Sequence, residues 1–429
     1  MLSHPSLLPR TCWVWFALVA AIAGPGVYAQ DTVPALSYQE VLRLSAQNID
    51  VSLATRNVAA AKSDVLAANR SPLPTLTARA SSIDLQNGNG SGSVLQDQRI
   101  DKSFGLDWTF ERGQKRELRT QTSEKSLAAN MAELKAMKVS QQLMAATSFF
   151  DLLAAQHKYA EIQAISNSYQ ELQAIATKRL AAGDISAQDQ ARIFVEARRA
   201  MADTLSVDLE RKRASIALAN VLGIQTRADQ LVLLSDWPPA WDPGTLLSPL
   251  QAHGVDQLPE VQAAMDRLSA AEISLQLAQS LKKSDISIGS SVDHYPGTSD
   301  RLLEVRMQMP LQWGYGYEGE IARAVAQVEQ ARDQLEKIRL VLASERMGWT
   351  RALETAQQRW TDYDTVIYPQ AHQVAQQAEL AYQKGAMSLT DLLDARRTLR
   401  TILIERLQAR ADYAKSIAAI QIRYVSDLR

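Results

Sequence analysis

RLAAGDISAQD (Arg179–Asp189) and its echo YQKGAMSLTDLLDAR (Tyr382–Arg396) each spell out a helix that stops and another that starts. Gly183 and Gly385 suit the left-handed residue that closes a helix. Three residues on, Ser186 and Ser388 are placed to cap the next helix. Asp189 and Asp391 then complete an S-x-x-D box by reaching back to free amide groups. Gly183 is the only glycine between Gly113 and Gly223, and no proline falls between Pro74 and Pro238. Nothing else in roughly 110 residues tells a helix to break, so the spacing predicts two very long helices folded back at one point.

The 429 residues are 46% apolar and 22% charged, with little glycine, proline or aromatic content, a balance that favours long helices over a compact enzyme. Residues 1–29 read as a secretory signal peptide. Arg10 precedes an apolar run from Cys12 to Ala23, Gly24-Pro25-Gly26 breaks it, and Val27-Tyr28-Ala29 offers small residues for cleavage ahead of Gln30. The run is too short for the ~20 residues of a spanning helix. Cys12 is the only cysteine, so a chain starting at Gln30 has no disulfide, no thiolate metal site and no lipid-accepting cysteine. Removing Arg10 leaves 45 Lys+Arg against 47 Asp+Glu, a net charge of −2, which argues against nucleic acid as a partner. Later segments lack the ~18 consecutive apolar residues of a membrane helix. An exported chain of this kind meets a membrane through strands.

Strands are expected at about 75–83 and 103–111, and again at about 285–293 and 302–312. Phe104, Leu106, Trp108 and Phe110 alternate with Ser103, Gly105, Asp107 and Thr109; Leu303, Val305, Met307, Met309 and Leu311 alternate with Glu304, Arg306 and Gln308. One face is apolar and the other carries charge, the pattern of a lipid-facing barrel wall around a wet lumen. Trp108, Tyr295 and Trp313 sit at strand ends, where interfacial aromatics belong. The arrangement occurs twice. At an offset of 210, Val51, Ala54, Ala61, Ala68 and Leu76 match Val261, Ala264, Ala271, Ala278 and Ile286. Beyond the strands the offset falls to 201 and 202, pairing Gly113 with Gly314 and Gly183 with Gly385. A shorter loop between the second pair of strands, around His294 to Asp300, accounts for the change.

The chain therefore divides into a first repeat over 30–222 with its tip at 183–186, a turn-rich insert over 223–258, and a second repeat over 259–429 with its tip at 385–388. The insert, with Trp237-Pro238-Pro239 and Trp241-Asp242-Pro243, reads as a belt outside the helices. The long helices, Gly113 to about Leu180 and Gly314 to about Gln383, would each reach roughly 100 Å. Ile162, Ile165, Tyr169, Leu172 and Ala176 have coiled-coil spacing, and Pro369 predicts a kink in the second helix. Four strands cannot close a barrel, and open edges in lipid leave several kcal/mol per unpaired backbone group. Several copies must contribute, and three would supply twelve strands.

Signal, helix, strand pair, long hairpin, turn-rich middle and the same again: over essentially the whole mature sequence this resembles the TolC family of outer-membrane efflux channels. AAGDISAQD and YQKGAMSLTDLLDAR resemble that family's repeated hairpin signature. The resemblance implies a mainly α protein with membrane β. It implies a homotrimer in the outer membrane of a Gram-negative bacterium, with a 12-stranded barrel continuous with a helical tunnel across the periplasm. It also implies a closed tip that docks a periplasmic membrane-fusion adaptor and, through it, an inner-membrane pump. Arg179, Gly183, Ser186, Asp189, Tyr382, Gly385, Ser388 and Asp391 would form the docking surface. Glu379, six residues before Gly385, falls where the family tends to place an acid narrowing the entrance, although the first repeat has Thr177 there. LQWGYGYEGEIARA (Leu311–Ala324) is most similar to the branch serving metal-exporting resistance-nodulation-division pumps.

Gly314-Tyr315-Gly316-Tyr317-Glu318-Gly319 fits the dinucleotide pattern G-x-G-x-x-G. Its preceding strand alternates, however, and no second strand follows about 20 residues on, so the glycines read as a strand-to-helix bend. His157, His253, His294 and His372 are not at metal-ligand spacing. No catalytic constellation and no cofactor site can be placed. The rival reading is a secreted oligomeric stalk without a pore.

Overall fold

The computed structural model describes residues 35–93, 99–224, 228–234, 237 and 254–424. The signal segment with Cys12, the first residues after it, and most of the turn-rich insert, including Pro238, Trp241 and His253, lie outside the described residues.

A short strand β1 (Ala35–Leu36) leads into α1 (Tyr38–Ser45) and α2 (Ile49–Ala68). The first strand pair follows, β2 (Thr75–Ser81) and β3 (Asp101–Phe110), then α3 (Lys115–Ala181) and α4 (Ala187–Leu222). After β4 (Val232–Leu233) the order recurs: α5 (Pro259–Ser280), β5 (Ile286–Tyr295), β6 (Ser299–Gln308), a helix in two parts, α6 (Glu318–Asp362) and α7 (Tyr368–Gln383), and α8 (Leu389–Tyr424). With 67 residues, α3 is about 100 Å long at 1.5 Å per residue. Among the described residues no helix is long and apolar enough to cross a membrane.

Helix packing has two centres in its middle and a third at one end. At the waist, Leu36 and Val41 join Phe149, Phe150, Leu152, Leu218, Leu231 and Leu233, closed by Ala411, Ala414 and Ala418 from α8. There β1 pairs in parallel with β4, and Trp237 is buried against Phe150, with ring centroids 6.4 Å apart. The described part of the insert thus packs against the middle of α3. Beside it, Val261, Leu335, Leu342, Leu353, Ile417 and Ile420 bind α5 and α6 to α8. The third cluster lies at the hairpin tips.

Pro369 acts through a π turn. It has no N–H for the Thr365 carbonyl, and the helix opens over Tyr363–Ile367, where the Tyr368 N–H donates to the Tyr363 carbonyl. Arg406 holds the bulge through Asp364, with Nε 2.9 Å from Oδ1, and stacks on Tyr368 at 4.3 Å.

The four long strands form one antiparallel sheet in the order β2-β3-β5-β6. Most strand boundaries shift by one to four residues from the sequence expectation, and three of the shifts have a clear cause. The first strand stops at Ser81, because Ser82 is left-handed at φ 61°. The last one begins at Ser299, three residues before the expected 302: Tyr295 already pairs with Ser299 across a tight turn in which Gly297 has φ +84°. It ends at Gln308 rather than 312, since Pro310 has no N–H to extend the ladder. The second long helix starts at Glu318, after a left-handed Tyr317, and Gly314 lies four residues upstream of it.

Candidate functional site

The sheet and the tips are the two places where side chains are arranged for more than packing. In the sheet, register puts Leu76, Leu106, Ser290 and Val305 in one row, and Trp108, Ile288 and Met307 in the next. This face is apolar, and it is open: Leu303, Val305 and Met307 are 72%, 70% and 74% exposed. The other face carries Thr77, Asp107, Ser291, Asp293, Glu304 and Arg306. Arg306 donates to Asp107 at 2.7 Å across two strands. At the helix end a polar collar joins the sheet to the bundle. Lys115 Nζ, 8% exposed, donates to Asp285 and to the Lys283 carbonyl, both at 2.8 Å, and Arg119 grips Glu111 and the Ala68 carbonyl.

At the far end of the helices the two tips lie side by side. Gly183 at φ +82° and Gly385 at φ +74° close their helices. In both, the glycine N–H returns to the carbonyl three residues back at 3.0 Å. The next N–H returns five back, from Asp184 to Arg179 at 2.9 Å and from Ala386 to Ala381 at 2.8 Å. Ser186 Oγ accepts the Asp189 N–H at 3.0 Å, and Ser388 Oγ accepts that of Asp391 at 3.2 Å. The aspartates act differently from the sequence expectation. Each carboxylate accepts the serine hydroxyl, at 2.8 and 2.7 Å, rather than a backbone amide. Aspartate is one methylene shorter than the glutamate of a full capping box, so its oxygen stops at Oγ.

Between the tips is a cleft of about 620 Å³ lined by Arg179, Asp184, Tyr382, Met387 and Thr390 among others. Arg179 stacks over Tyr382 at 5.7 Å, and Arg192 donates to Thr390 at 3.0 Å. Behind the cleft, Tyr169, Ile193, Ala197, Leu389 and Leu393 pack into one apolar centre drawn from both hairpins. Ion pairs flank it: Arg397 with Glu196, and Arg400 with Asp203 at 2.6 Å. Glu196 bonds Arg397 and raises the guanidinium's pKa. Burial raises that of Tyr169, and the nearby Arg396 charge opposes the shift.

All eight tip residues expected from sequence line this cleft or flank it within one turn. Glu379 faces elsewhere. It is held by Arg396, which stacks over Tyr169 at 5.3 Å, so its charge is matched inside the protomer. Arg192, Glu196, Arg396 and Arg397 were missed by sequence reasoning; their contacts with Thr390, Arg397, Glu379 and Glu196 span 17 to 201 residues, and no local spacing signals those contacts.

The glycine motif is filled by its own chain. The Gly316 N–H meets the Glu318 carboxylate at 3.0 Å, and Tyr315 donates to Glu320. Two carboxylates occupy the helix start where a phosphate would have to sit. Among the described residues no three His, Cys, Asp or Glu side chains are grouped as a metal requires.

No family model matches the chain. Among curated proteins it is 20% identical over 379 residues to the cobalt-zinc-cadmium resistance protein CzcC of Cupriavidus metallidurans, covering 87% of this chain and 86% of that one. Among solved structures, the outer membrane protein VceC of Vibrio cholerae aligns with a TM-score of 0.73 at 18% identity, over 90% of this chain and 95% of that one. The CmeC outer membrane channel of Campylobacter jejuni aligns at 0.71 and 15% identity, over 98% and 94%. The mainly helical chain with its four-stranded antiparallel sheet matches the fold of those structures. The chain has the fold of the TolC-family outer-membrane channels.

Proposed function

We propose that the protein is the outer-membrane channel of a tripartite efflux system, a passive duct that carries substrates from an inner-membrane pump to the exterior. One observation carries the reading: an open apolar sheet face opposite a charged one. Burial stabilises apolar surface by about 25 cal/mol per Å², so a stalk in water would leave the Val305 and Leu303 rows at a large disadvantage. In lipid they are at home. The edges of the sheet, β2 and β6, then need partners. Three copies joined edge to edge give a closed barrel of twelve strands, and their helices continue it as a tunnel into the periplasm.

Arg179, Gly183, Ser186, Asp189 and their counterparts Tyr382, Gly385, Ser388 and Asp391 form the surface that a periplasmic adaptor meets. The adaptor opens the duct by preferring a splayed packing of the tips. No bond chemistry is performed. The full-length likeness to a cobalt-zinc-cadmium resistance protein supports the metal-exporting branch, with the pump selecting the cargo.

The test is reconstitution of the mature chain in planar bilayers, with cysteines placed on β2 and β6 at Leu76 and Val305, which share the apolar face. Stepwise conductance and covalent trimers are expected. A water-soluble monomer that never conducts would overturn the reading.

A further inference from the structure

One row of the sheet stands apart from the lipid-facing pattern. On the apolar face, the row of Ala78, Phe104, Val292 and Leu303 is followed, toward the turn end, by Ala80, Lys102 and His294 in direct register. On β6, Arg301 lies two residues from Leu303 and beside the register shift between Asp293 and Tyr295, which brings it next to His294. Three nitrogen-bearing side chains on adjacent strands thus follow immediately upon an apolar band. At ~4.8 Å between strands they span about 10 Å, the width of one lipid headgroup.

Among the described residues no acid pairs with Lys102 or Arg301 in this row. Lys102 Nζ and His294 Nε2 have neither solvent contact nor a hydrogen-bond partner. Arg301 has no acidic partner among the described residues. Asp300, on the turn and 93% exposed, has Oδ1 3.8 Å from His294 Nδ1. His294 Nδ1 lies 3.1 Å from the Asp300 carbonyl and donates to it, which leaves Nε2 directed away from the turn. Asp101 and Asp293 alternate onto the opposite face, where Asp101 accepts from Ser82 and Asp293 from Ser291. An ammonium group without water or acceptor is costly, and an oxyanion relieves it. The flexible lysine stem lets Nζ meet that oxyanion without backbone movement.

We propose that Lys102, Arg301 and His294 form a binding site for the phosphate of an outer-leaflet lipid, whose acyl chains lie along Phe104, Val292 and Leu303. The site rests on reading the sheet as an outer-membrane wall with its turn end outward, since the 100 Å helices leave from the other end. Lys102 and Arg301 supply the fixed charge. His294 lines the site beside them.

The experiment uses the purified full-length mature trimer in neutral detergent, titrated with diphosphorylated lipid A and followed by thermal dissociation of the trimer. Phosphatidylethanolamine and inorganic phosphate are the comparison arms. Lipid A is expected to raise the dissociation temperature of the wild type. The Lys102→Ala/Arg301→Ala variant should need at least about tenfold more lipid for the same rise, and Lys102→Arg should respond as wild type. Arg301→Ala alone, on an exposed side chain, gives an intermediate response and guards against a double variant that fails to assemble. An equal response of wild type and double variant would overturn the proposal, as would the same rise with inorganic phosphate alone. Conductance separates this from the channel reading: normal conductance without lipid dependence refutes the headgroup site only, and absence of conductance in the wild type refutes the channel.

Discussion

Two glycines on the charged face of the sheet yield a prediction that runs against their nearest contacts. A Cβ placed on Gly289 would lie 2.1 Å from Asp107 Oδ1, and one placed on Gly105 would lie 2.8 Å from Thr77 Oγ1. Distance alone ranks Gly289→Ala as the more damaging. The identity of the obstacles reverses that order. Asp107 Oδ1 is the end of a side chain with room on its solvent side, so the carboxylate can rotate at the expense of its bond to Arg306. That pair is exposed and contributes little. Gly105 is enclosed on both flanks, by the β-branched Thr77 on β2, and by Ser291 Cβ at 3.0 Å and the Ser290 carbonyl at 3.1 Å on β5. Neither the stiff threonine nor the backbone can give way without moving a strand. Overpacking of this kind costs about 1–3 kcal/mol per chain, and Gly289→Ala should cost under ~1 kcal/mol. Resistance of the detergent-solubilised protein to heat or guanidinium reads the difference. Thr77→Ala in the Gly105→Ala background should restore most of the loss, whereas Gly289→Ala should change ion selectivity by freeing Arg306 inside the lumen. If Gly289→Ala proves the more destabilising, or Thr77→Ala gives no rescue, the packing argument fails.

Gly183→Ala and Gly385→Ala meet no atom within 4 Å but force alanine to φ near +80°, costing about 1–2 kcal/mol at the tip; faster amide exchange confined to the tip is expected, with the waist unchanged. Arg396→Met should release Glu379 and loosen α7 from α8 by about 1–3 kcal/mol, seen as lost exchange protection over Tyr368–Gln383; unchanged protection would remove Arg396 as the link. Burial pushes the Tyr38 hydroxyl up to about 12, so the folded state disfavours the phenolate and stability falls as pH rises from the unfolded value near 10 toward 12. Relative to Tyr38→Phe, the wild type should lose about 1 kcal/mol between pH 10 and pH 11 in chemical denaturation. Amide exchange in the wild type should also be faster over the π turn and α7 than over Phe149–Ala176 of α3.

Much of this fold was legible because it is written in local terms. Gly183 with Ser186, and Gly385 with Ser388, state a helix end and a helix start within four residues, and the strands state their faces by alternation. What alternation cannot state is which solvent the apolar face meets. Val305 and Met307 would look the same against a soluble core; it is their exposure on a face that no described residue covers that favours lipid. The boundaries at β6 were misplaced because Leu303 through Leu311 alternate without interruption, whereas pairing is decided by the turn at Gly297 and by Pro310. The latches at the tips were illegible in principle: Arg397 and Glu196, or Arg192 and Thr390, are brought together by the packing of two hairpins far apart in sequence. The same holds for Glu379, whose spacing from Gly385 suggested an entrance charge and whose surroundings give it Arg396.

The two halves of the chain agree where geometry leaves no choice and diverge where it does. Both tips use a left-handed glycine, paired return bonds and a serine cap, since two antiparallel helices need that turn whatever else they do. The connection between β2 and β3 spans residues 82–100, and that between β5 and β6 only 296–298. Most described residues of the longer connection are exposed, so little packing constrains its length. The long helices differ more consequentially. Along α3 the backbone ladder is unbroken, and Phe149, Phe150, Leu152 and Leu153 are all buried at the waist. In its counterpart the ladder opens at Tyr363–Ile367, with Val366 and Val374 more than half exposed, and Arg406 and Glu405 of α8 clasp the opening through Asp364 and Tyr363. A helix with a skipped bond and few buried neighbours resists bending less than one with neither. The second hairpin is therefore the compliant arm of the pair and α3 the strut, an inequality set by one proline in an otherwise matched design.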